Sequence, residues 1–199
     1  MNVKLLTSPA SIEDMERFAA LGALTCHGNA DKEFSAPEVL SRIINAGHES
    51  VLEHINLTYS IKGISRALLQ ELARHRHISL SVESTRHTLK KQLNTPEVLI
   101  TADLDRHGKF GDMLRLLKQI ANEYPDMPND ELKYYLPEFW PTNLILTSNI
   151  RELRHILDLR TAPAALKEFR DLARAMYEAV PEQYKYLLKD CVHEEAGAC

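Results

Sequence analysis

A short alternating segment constrains the fold of this chain more than any other feature. From Ile55 to Ile61, apolar residues occupy every second position, which is the pattern of a β-strand with one buried face. Segments with apolar residues at helical spacing lie on both sides of it. The sequence therefore predicts an α+β fold, in which several helices pack around a small, mostly antiparallel sheet.

Apolar periodicity and capping residues predict the helices. Ser11, Ser35 and Ser50 are each followed three residues later by an acid, which predicts helix N-caps. Gly47 is expected to end the second helix. The expected helices lie at about 12–24, 36–45, from Ser65, from Met113 to Tyr124, and at 149–159, 163–180 and 182–189. A second buried strand is expected at 143–147.

Length and composition predict one domain. The chain has 199 residues, of which 44% are hydrophobic and 26% charged, and this apolar content suffices for one core. No repeat or flexible linker divides the sequence. We therefore predict a single domain over residues 1–199, with a disordered tail from about residue 194.

Charge and cysteine content exclude several classes of protein. A net charge of -4 argues against a dedicated nucleic-acid binder. No apolar stretch approaches the roughly 18–20 residues of a membrane span, and the N-terminus lacks the apolar core of a signal peptide. Cys26, Cys191 and Cys199 are too scattered for a disulfide framework or a zinc site. The sequence predicts a soluble cytoplasmic protein without nucleic-acid or membrane partners.

Two cationic clusters stand out in this acidic chain. The first runs from Arg74 through Lys91 with interleaved Ser and Thr, and the second contains Arg151, Arg154, His155 and Arg160. Such runs are often solvated helix faces, but guanidinium forks together with hydroxyl donors match phosphate oxygens. We expect a phosphorylated ligand. No metal is expected, because the arginines repel a cation and no ligand set is complete.

The first cluster also carries a recognisable pattern. Arg74-His75-Arg76, followed after seven residues by Ser84, resembles the signature of flavin-dependent thymidylate synthases. Three further stretches, at 47–54, 136–137 and 149–160, are similar to the family in order and spacing. The resemblance extends from about residue 5 to residue 190.

The resemblance implies an assembly and a reaction. It implies a homotetramer with active sites between subunits. NADPH reduces FAD, 5,10-methylenetetrahydrofolate donates one carbon to dUMP, and the reduced flavin delivers the hydride that completes the methyl group of dTMP. Ser84 is expected to bind or polarise the substrate without acting as a covalent nucleophile, and Arg160 to activate the uracil ring.

The resemblance also implies binding residues. Expected flavin contacts are His54, Asn56, Arg74, His75, Arg76, His77, Asn149, Arg151 and His155. Expected dUMP contacts are Gln70 or Glu71, Arg74, Val82, Glu83, Ser84, Thr85, Arg86, Lys133 and Arg160. Four positions depart from the family pattern, namely Glu71, His87, Lys133 and His155. Lysine at position 133 presents a point charge where the family favours a planar fork.

Arg160 suits catalysis on physical grounds. A permanent cation beside the pyrimidine stabilises the negative charge that develops as C5 becomes nucleophilic. At about 100° per residue, Arg151 and His155 share a helix face while Arg160 lies on the opposite side. This placement predicts that they serve different active sites. No cysteine has the basic neighbourhood that a thiolate nucleophile requires.

Two other functions fit part of the pattern. An RNA-binding or nucleotide-sensing module without redox chemistry would use the two cationic clusters to hold phosphates. The low pI near 6.1 and the scarcity of candidate exposed aromatic residues disfavour it. A purely structural helical oligomer leaves the clustered arginines and serines without a role.

Overall fold

The structure is a computed structural model and describes residues 1–94 and 105–194. The tail predicted beyond residue 194 lies outside the described residues. The strands are β1 (Asn2–Leu5), β2 (Asn56–Ser65), β3 (Ile78–Val82) and β4 (Pro141–Asn149). The α-helices are α1 (Pro9–Cys26), α2 (Ala36–Asn45), α3 (Arg66–Leu72), α4 (Thr85–Leu93), α5 (Phe110–Glu123), α6 (Asn129–Leu132), α7 (Ile150–Thr161) and α8 (Lys167–Glu178). Short 3₁₀ helices cover Glu49–His54, Lys133–Tyr135, Glu182–Leu187 and Lys189–Cys191.

The four strands form one sheet in the order β1-β2-β4-β3. The amide of Ile150 donates to the carbonyl of Ile55 at 2.8 Å, and the amide of Arg66 donates to that of Trp140 at 3.0 Å. Residue numbers therefore rise along β2 as they fall along β4, so this pair is antiparallel. The predicted α+β class with a small antiparallel sheet is confirmed.

Alternation in β2 buries one face of the strand, as the sequence predicts. Leu57, Tyr59 and Ile61 are fully buried, whereas Asn56 and Lys62 are exposed. At the end of the strand, Ser65 caps α3, because its Oγ accepts a hydrogen bond from the amide of Leu68 at 3.0 Å. A strand therefore passes directly into a helix at this point.

The chain divides into two compact units. Unit 1 comprises residues 1–2, 61–74 and 81–144, and unit 2 comprises residues 3–60, 75–80 and 145–199. A core in unit 1 is formed by Leu89, Leu93, Leu117, Leu132 and Trp140. The indole N–H of Trp140 donates to Oε1 of Gln92 at 3.0 Å, which satisfies its polar atom.

In unit 2, helices α1 and α2 pack together and α7 packs against α8. Ile12 and Leu40 are buried on the first pair, and Ile156 and Phe169 on the second. Each helix contributes an apolar stripe, as amphipathic surface helices do. The polar face of α7 is thereby left to carry functional side chains.

Two of the predicted helix caps are wrong, and one is partly right. Ser8 caps α1 in place of Ser11, because the Ser8 hydroxyl accepts from the Ser11 amide at 3.2 Å. Ser50 lies inside the 3₁₀ helix that follows His48. Ser35 occupies the N-cap of α2 but makes no capping side-chain bond. Gly47 has φ +70° just after α2 and suits that turn because it lacks Cβ.

Candidate functional site

An open cavity of about 600 Å³ lies in unit 2. It is lined by Glu49, Glu53, His77, Asn149, Arg151, Glu152, Arg154, His155, Asp158 and Cys191. Four of these residues, His77, Asn149, Arg151 and His155, are sequence-predicted flavin contacts. The cavity volume is in the range of roughly 300–1,000 Å³ typical of small-molecule sites.

Helix α7 and its N-cap residue Asn149 supply six of the ten lining residues. Oδ1 of Asn149 caps the helix by accepting from the amide of Glu152 at 2.8 Å. The helix then runs without interruption to Thr161. Arg151 and His155, four residues apart, are both exposed on it, and Arg160 lies half-buried in its last turn. The continuous helix places Arg160 on the opposite side from Arg151, as predicted from the helical period.

Arg151 is held by an ion pair that a ligand can replace. Its Nη1 donates to Oε1 of Glu53 at 2.6 Å, and both side chains are about half exposed. Exposed pairs of this kind contribute only about 0–1 kcal/mol to stability. An anionic ligand entering the cavity can therefore take over Arg151 at low energetic cost.

Arg154 has a different role from the one its place in the second cationic cluster suggests. Its side chain is only 6% exposed, and it contacts Oε1 of Glu49 at 3.0 Å. It also binds the Asp190 carboxylate at 2.7 and 2.6 Å and the Leu187 carbonyl at 2.7 Å. Burial acts to lower the pKa of Arg154, but the bond and charge of Asp190 outweigh it and raise the pKa. Arg154 therefore ties α7 to the C-terminal segment.

His75 lies in a buried chain of polar contacts. Its Nδ1 is 3.1 Å from Oε1 of Glu152, and its Nε2 accepts from Nε of Arg160 at 3.0 Å. Burial lowers the pKa of His75, and the charge of Arg160 lowers it further, while the bond to Glu152 opposes both. Because Nε2 is an acceptor, the ring proton is placed on Nδ1.

Two aromatic rings complete the surroundings of His75 and Arg160. The ring of Phe169 on α8 lies 4.6 Å from Cζ of Arg160 and packs edge-on against His75 at 5.8 Å. The ring of His155 lies 5.7 Å from that of His75. The predicted flavin contact His75 is thus buried, and its side chain hydrogen-bonds to Arg160 and Glu152. Direct flavin binding by His75 stays a prediction.

The other predicted flavin residues are accessible. His54 ends the 3₁₀ helix before β2, Asn56 begins that strand, and both are exposed. Arg76 is exposed as well. In unit 1, Arg74 is exposed just beyond α3, with its Nη1 3.8 Å from the Glu71 carboxylate. Their roles in binding flavin are untested and stay predictions.

In unit 1, several predicted dUMP contacts gather around the start of α4. Ser84 is the N-cap residue, but its hydroxyl makes no capping bond. Nε and Nη2 of Arg86 bind the Asp130 carboxylate at 2.6 and 3.0 Å, and Nζ of Lys133 lies 3.9 Å from the same group. The hydrogen bond from Arg86 lowers the pKa of Asp130. Asp130 therefore holds two predicted phosphate-binding cations together.

The remaining predicted dUMP contacts take part in the local framework of unit 1 or lie beside it. Nε2 of Gln70 donates to both oxygens of Glu138 at 2.7 and 2.8 Å. The Glu83 carboxylate accepts from Gln92 at 2.8 Å and from Asn143 at 2.6 Å. Val82 is exposed at the end of β3, and Thr85 is buried at the start of α4. As substrate contacts, these residues stay predictions.

Cys191 lies at the cavity but is unsuited to thiolate attack. Burial raises the pKa of its thiol to about 11, and neighbouring carboxylates add to the effect while Arg154 opposes it. At neutral pH the group is therefore a thiol, and thiols are poor nucleophiles. For Cys191, this agrees with the expectation that it does not act as a thiolate nucleophile.

Two features are absent from the described residues. No helix in residues 1–94 and 105–194 is long and apolar enough to cross a membrane. Within the same ranges, no three His, Cys, Asp or Glu side chains gather as metal ligands would. Glu152, to which the sequence alone assigns no role, is the buried partner of His75.

Comparisons with known proteins agree with one another. A family model described as thymidylate synthase complementing protein matches residues 7–184. The flavin-dependent thymidylate synthase of Campylobacter jejuni is 40% identical over 188 residues, which is 85% of each chain. That of Wolinella succinogenes is 41% identical over 170 residues, or 79% of this chain and 82% of its own.

A solved structure is similar over almost the whole chain. The crystal structure of thymidylate synthase X from Helicobacter pylori, with FAD and dUMP, matches with a TM-score of 0.81. The sequence identity is 32%, and the match covers 98% of this chain and 100% of the other.

Proposed function

Because the chain belongs to the flavin-dependent thymidylate synthase family, we propose which of its residues carry out that reaction. The enzyme converts dUMP to dTMP, with 5,10-methylenetetrahydrofolate as carbon donor and NADPH as reductant of FAD. Bound FAD supplies the hydride that completes the methyl group. The observation that supports the assignment of residues is the cavity lined by Asn149, Arg151 and His155.

The residues around this cavity fit a flavin dinucleotide. Arg151 supplies a guanidinium fork for phosphate, and Asn149, His77 and His155 supply further hydrogen-bonding groups. The exposed Arg151–Glu53 pair stabilises the protein only weakly, so a phosphate can displace Glu53 from Arg151. His54, Asn56 and Arg76 add exposed polar groups in the same unit.

The residues at the start of α4 suit a nucleotide monophosphate. Ser84 offers a hydroxyl, and the first amides of a helix favour an anion. Arg86 and Lys133 add two cations, both held by Asp130. A bound phosphate competes with Asp130 for these two cations. Because Lys133 offers phosphate only a point charge, the planar fork of Arg86 supplies the bidentate hydrogen bonding.

Arg160 is the residue we assign to activation of the uracil ring. A guanidinium cannot lose its proton at physiological pH, so it presents a constant positive charge to the pyrimidine. Its edge is fixed by His75 and its face by Phe169. An oriented cation stabilises developing negative charge more effectively than a mobile one, because it needs no reorganisation.

Assembly and location complete the proposal. We infer a single functional domain over residues 1–199 that forms a homotetramer with active sites at subunit interfaces, as the resemblance implies. The described cysteines Cys26 and Cys191 are free thiols, which accords with a reducing cytoplasm. Each of these features stays a prediction.

The RNA-binding alternative is disfavoured by the partners of the cations. Arg74, Arg86, Arg151 and Arg154 each lie within 4 Å of a carboxylate. These carboxylates reduce the net positive charge that a polyanion would meet. The family assignment supports the enzyme.

Replacing Arg151 with Ala is expected to weaken FAD binding about 10–100-fold, because a charge-assisted hydrogen bond is worth about 1.5–3 kcal/mol. FAD affinity can be measured by flavin fluorescence quenching. The control is Arg115→Ala, which removes another exposed arginine paired with a carboxylate, Asp112. Equal affinities for the two variants would contradict the assignment of Arg151, and a wild-type protein that binds no FAD would contradict the function.

A further inference from the structure

We propose that Glu152 and His75 are positioning residues for Arg160. The carboxylate of Glu152 fixes the tautomer of the His75 imidazole, and the imidazole fixes the orientation of the Arg160 guanidinium. This inference rests on the proposed role of Arg160 in activating the uracil ring. The resemblance implies only flavin contact for His75, and the sequence alone assigns no role to Glu152.

Helix α7 carries both ends of this contact chain. Glu152 lies in the first turn and Arg160 in the last, so they are about 12 Å apart along the axis and about 80° apart around it. His75 lies between them, with one ring nitrogen directed to each. One imidazole thereby connects the two ends of a rigid helix.

Glu152 is itself held in place. Glu152 is only 9% exposed, and its backbone amide donates to Oδ1 of Asn149. A buried carboxylate is costly unless it is hydrogen-bonded, and the Nδ1–H of His75 supplies that bond. The ring orientation and the position of its proton are therefore set by one buried acceptor.

Arg160 is constrained in two directions. The bond from its Nε to His75 fixes one edge of the guanidinium, and the Phe169 ring 4.6 Å from Cζ fixes its face. A planar group restrained at an edge and a face has a defined orientation. Replacing His75 removes the edge contact and leaves the stacking contact in place.

The contact between His75 and Arg160 requires a neutral imidazole. Protonation puts N–H groups on both nitrogens, so Nε2 can no longer accept and the ring repels Arg160. The groups that face His75 are Glu152, His155 and Arg160 from α7 and Phe169 from α8. Burial lowers the pKa of His75, which keeps the ring neutral at pH 7.

The direction of the pH dependence follows from this shift. The pKa of His75 is about 6.5 in the unfolded chain and lower in the folded one. Between these values the unfolded chain binds more protons, so the free energy of unfolding falls as the pH drops from about 6.5 towards the folded pKa. The orientation of Arg160 is lost as the pH falls through the folded pKa.

Activity is the first test of this proposal. His75→Phe is expected to lower kcat for dTMP formation by up to about 10²-fold, as small misplacements of catalytic groups do. Glu152→Gln keeps an acceptor for Nδ1–H but removes the charge that raises the pKa of His75. Its kcat–pH profile should therefore keep its shape while the acid limb moves to lower pH.

The control variant is Glu16→Gln, which alters another buried carboxylate, bonded to Tyr186. It should leave the acid limb in place. An unchanged kcat in His75→Phe, or a Glu152→Gln profile that superposes on wild type, would overturn the proposal. Should His75→Phe fail to fold, Glu152→Gln still provides the test.

The second readout is independent of turnover. With arginine labelled at Nε with ¹⁵N, the Arg160 Nε–H signal, assigned with Arg160→Lys, is expected to be protected from exchange with water at pH 7.5. Its protection, measured against a free arginine at the same pH, should fall in acid. Glu152→Gln should shift that transition to lower pH. A signal that changes neither with pH nor in Glu152→Gln would refute the contact. The expected pH transition in a protein that forms no dTMP would refute only the proposed function.

Discussion

Replacing Arg160 with Ala is expected to lower kcat for dTMP formation by about 10²–10³-fold, the usual cost of losing one oriented group that stabilises transition-state charge. FAD binding should change little, because the expected flavin groups Asn149 and Arg151 lie at the start of α7 and Arg160 lies in its last turn. Product formation can be followed by chromatography, and bound flavin by absorbance.

Two further variants sharpen this result. Arg160→Lys keeps the charge but has no Nε–H to bond His75, so it should recover only part of the lost activity. Arg115→Ala removes an exposed arginine on α5 and should turn over normally. Unchanged turnover in Arg160→Ala would remove Arg160 from its assigned role.

Replacing Arg154 with Ala is expected to reduce the free energy of unfolding by about 3–5 kcal/mol, the cost of removing one partner of a buried ion pair. The substitution leaves Glu49 and Asp190 without their shared cation and the Leu187 carbonyl without its donor. Urea denaturation followed by circular dichroism measures the loss.

Arg151→Ala is the matched control for this prediction. It removes an arginine from the same helix, but one that is half exposed and pairs with the equally exposed Glu53. Its loss should be below about 1 kcal/mol. Equal losses in the two variants would mean that burial does not distinguish these two arginines.

Much of the fold could be predicted because it follows from local periodicity. Helix α2 matches its expected bounds, and β2 and α3 follow each other as the alternation and the Ser65 cap indicate. The strand β3 was not predicted, although Ile78, Leu80 and Val82 alternate with serines. This period-two pattern is short and lies within the cationic cluster, whose charged residues dominate the sequence there.

Helix α4 was also missing from the sequence prediction. Its buried residues are Thr85, Leu89 and Leu93, and only the two leucines are apolar. Two apolar residues four positions apart are too few to establish a helical period. The helix is fixed mainly by tertiary packing in unit 1, where both leucines join the core around Trp140.

The candidate site was predicted in its residues but not in its internal contacts. Arg151 and Arg154 look alike in the sequence, yet one is half exposed and the other buried. The partners that decide this, Glu49 and Asp190, lie 105 and 36 residues away from Arg154. Contacts at such separations are set by the tertiary fold and leave no local pattern.

The most direct test of the central claim is a single turnover without oxygen. The FAD-loaded protein is reduced with one equivalent of NADPH and then mixed with dUMP and 5,10-methylenetetrahydrofolate. The reaction should return the flavin absorbance near 450 nm and form about one dTMP for each flavin reoxidised, since each methyl group needs one hydride. Flavin that stays reduced, or that reoxidises without dTMP, would contradict the account.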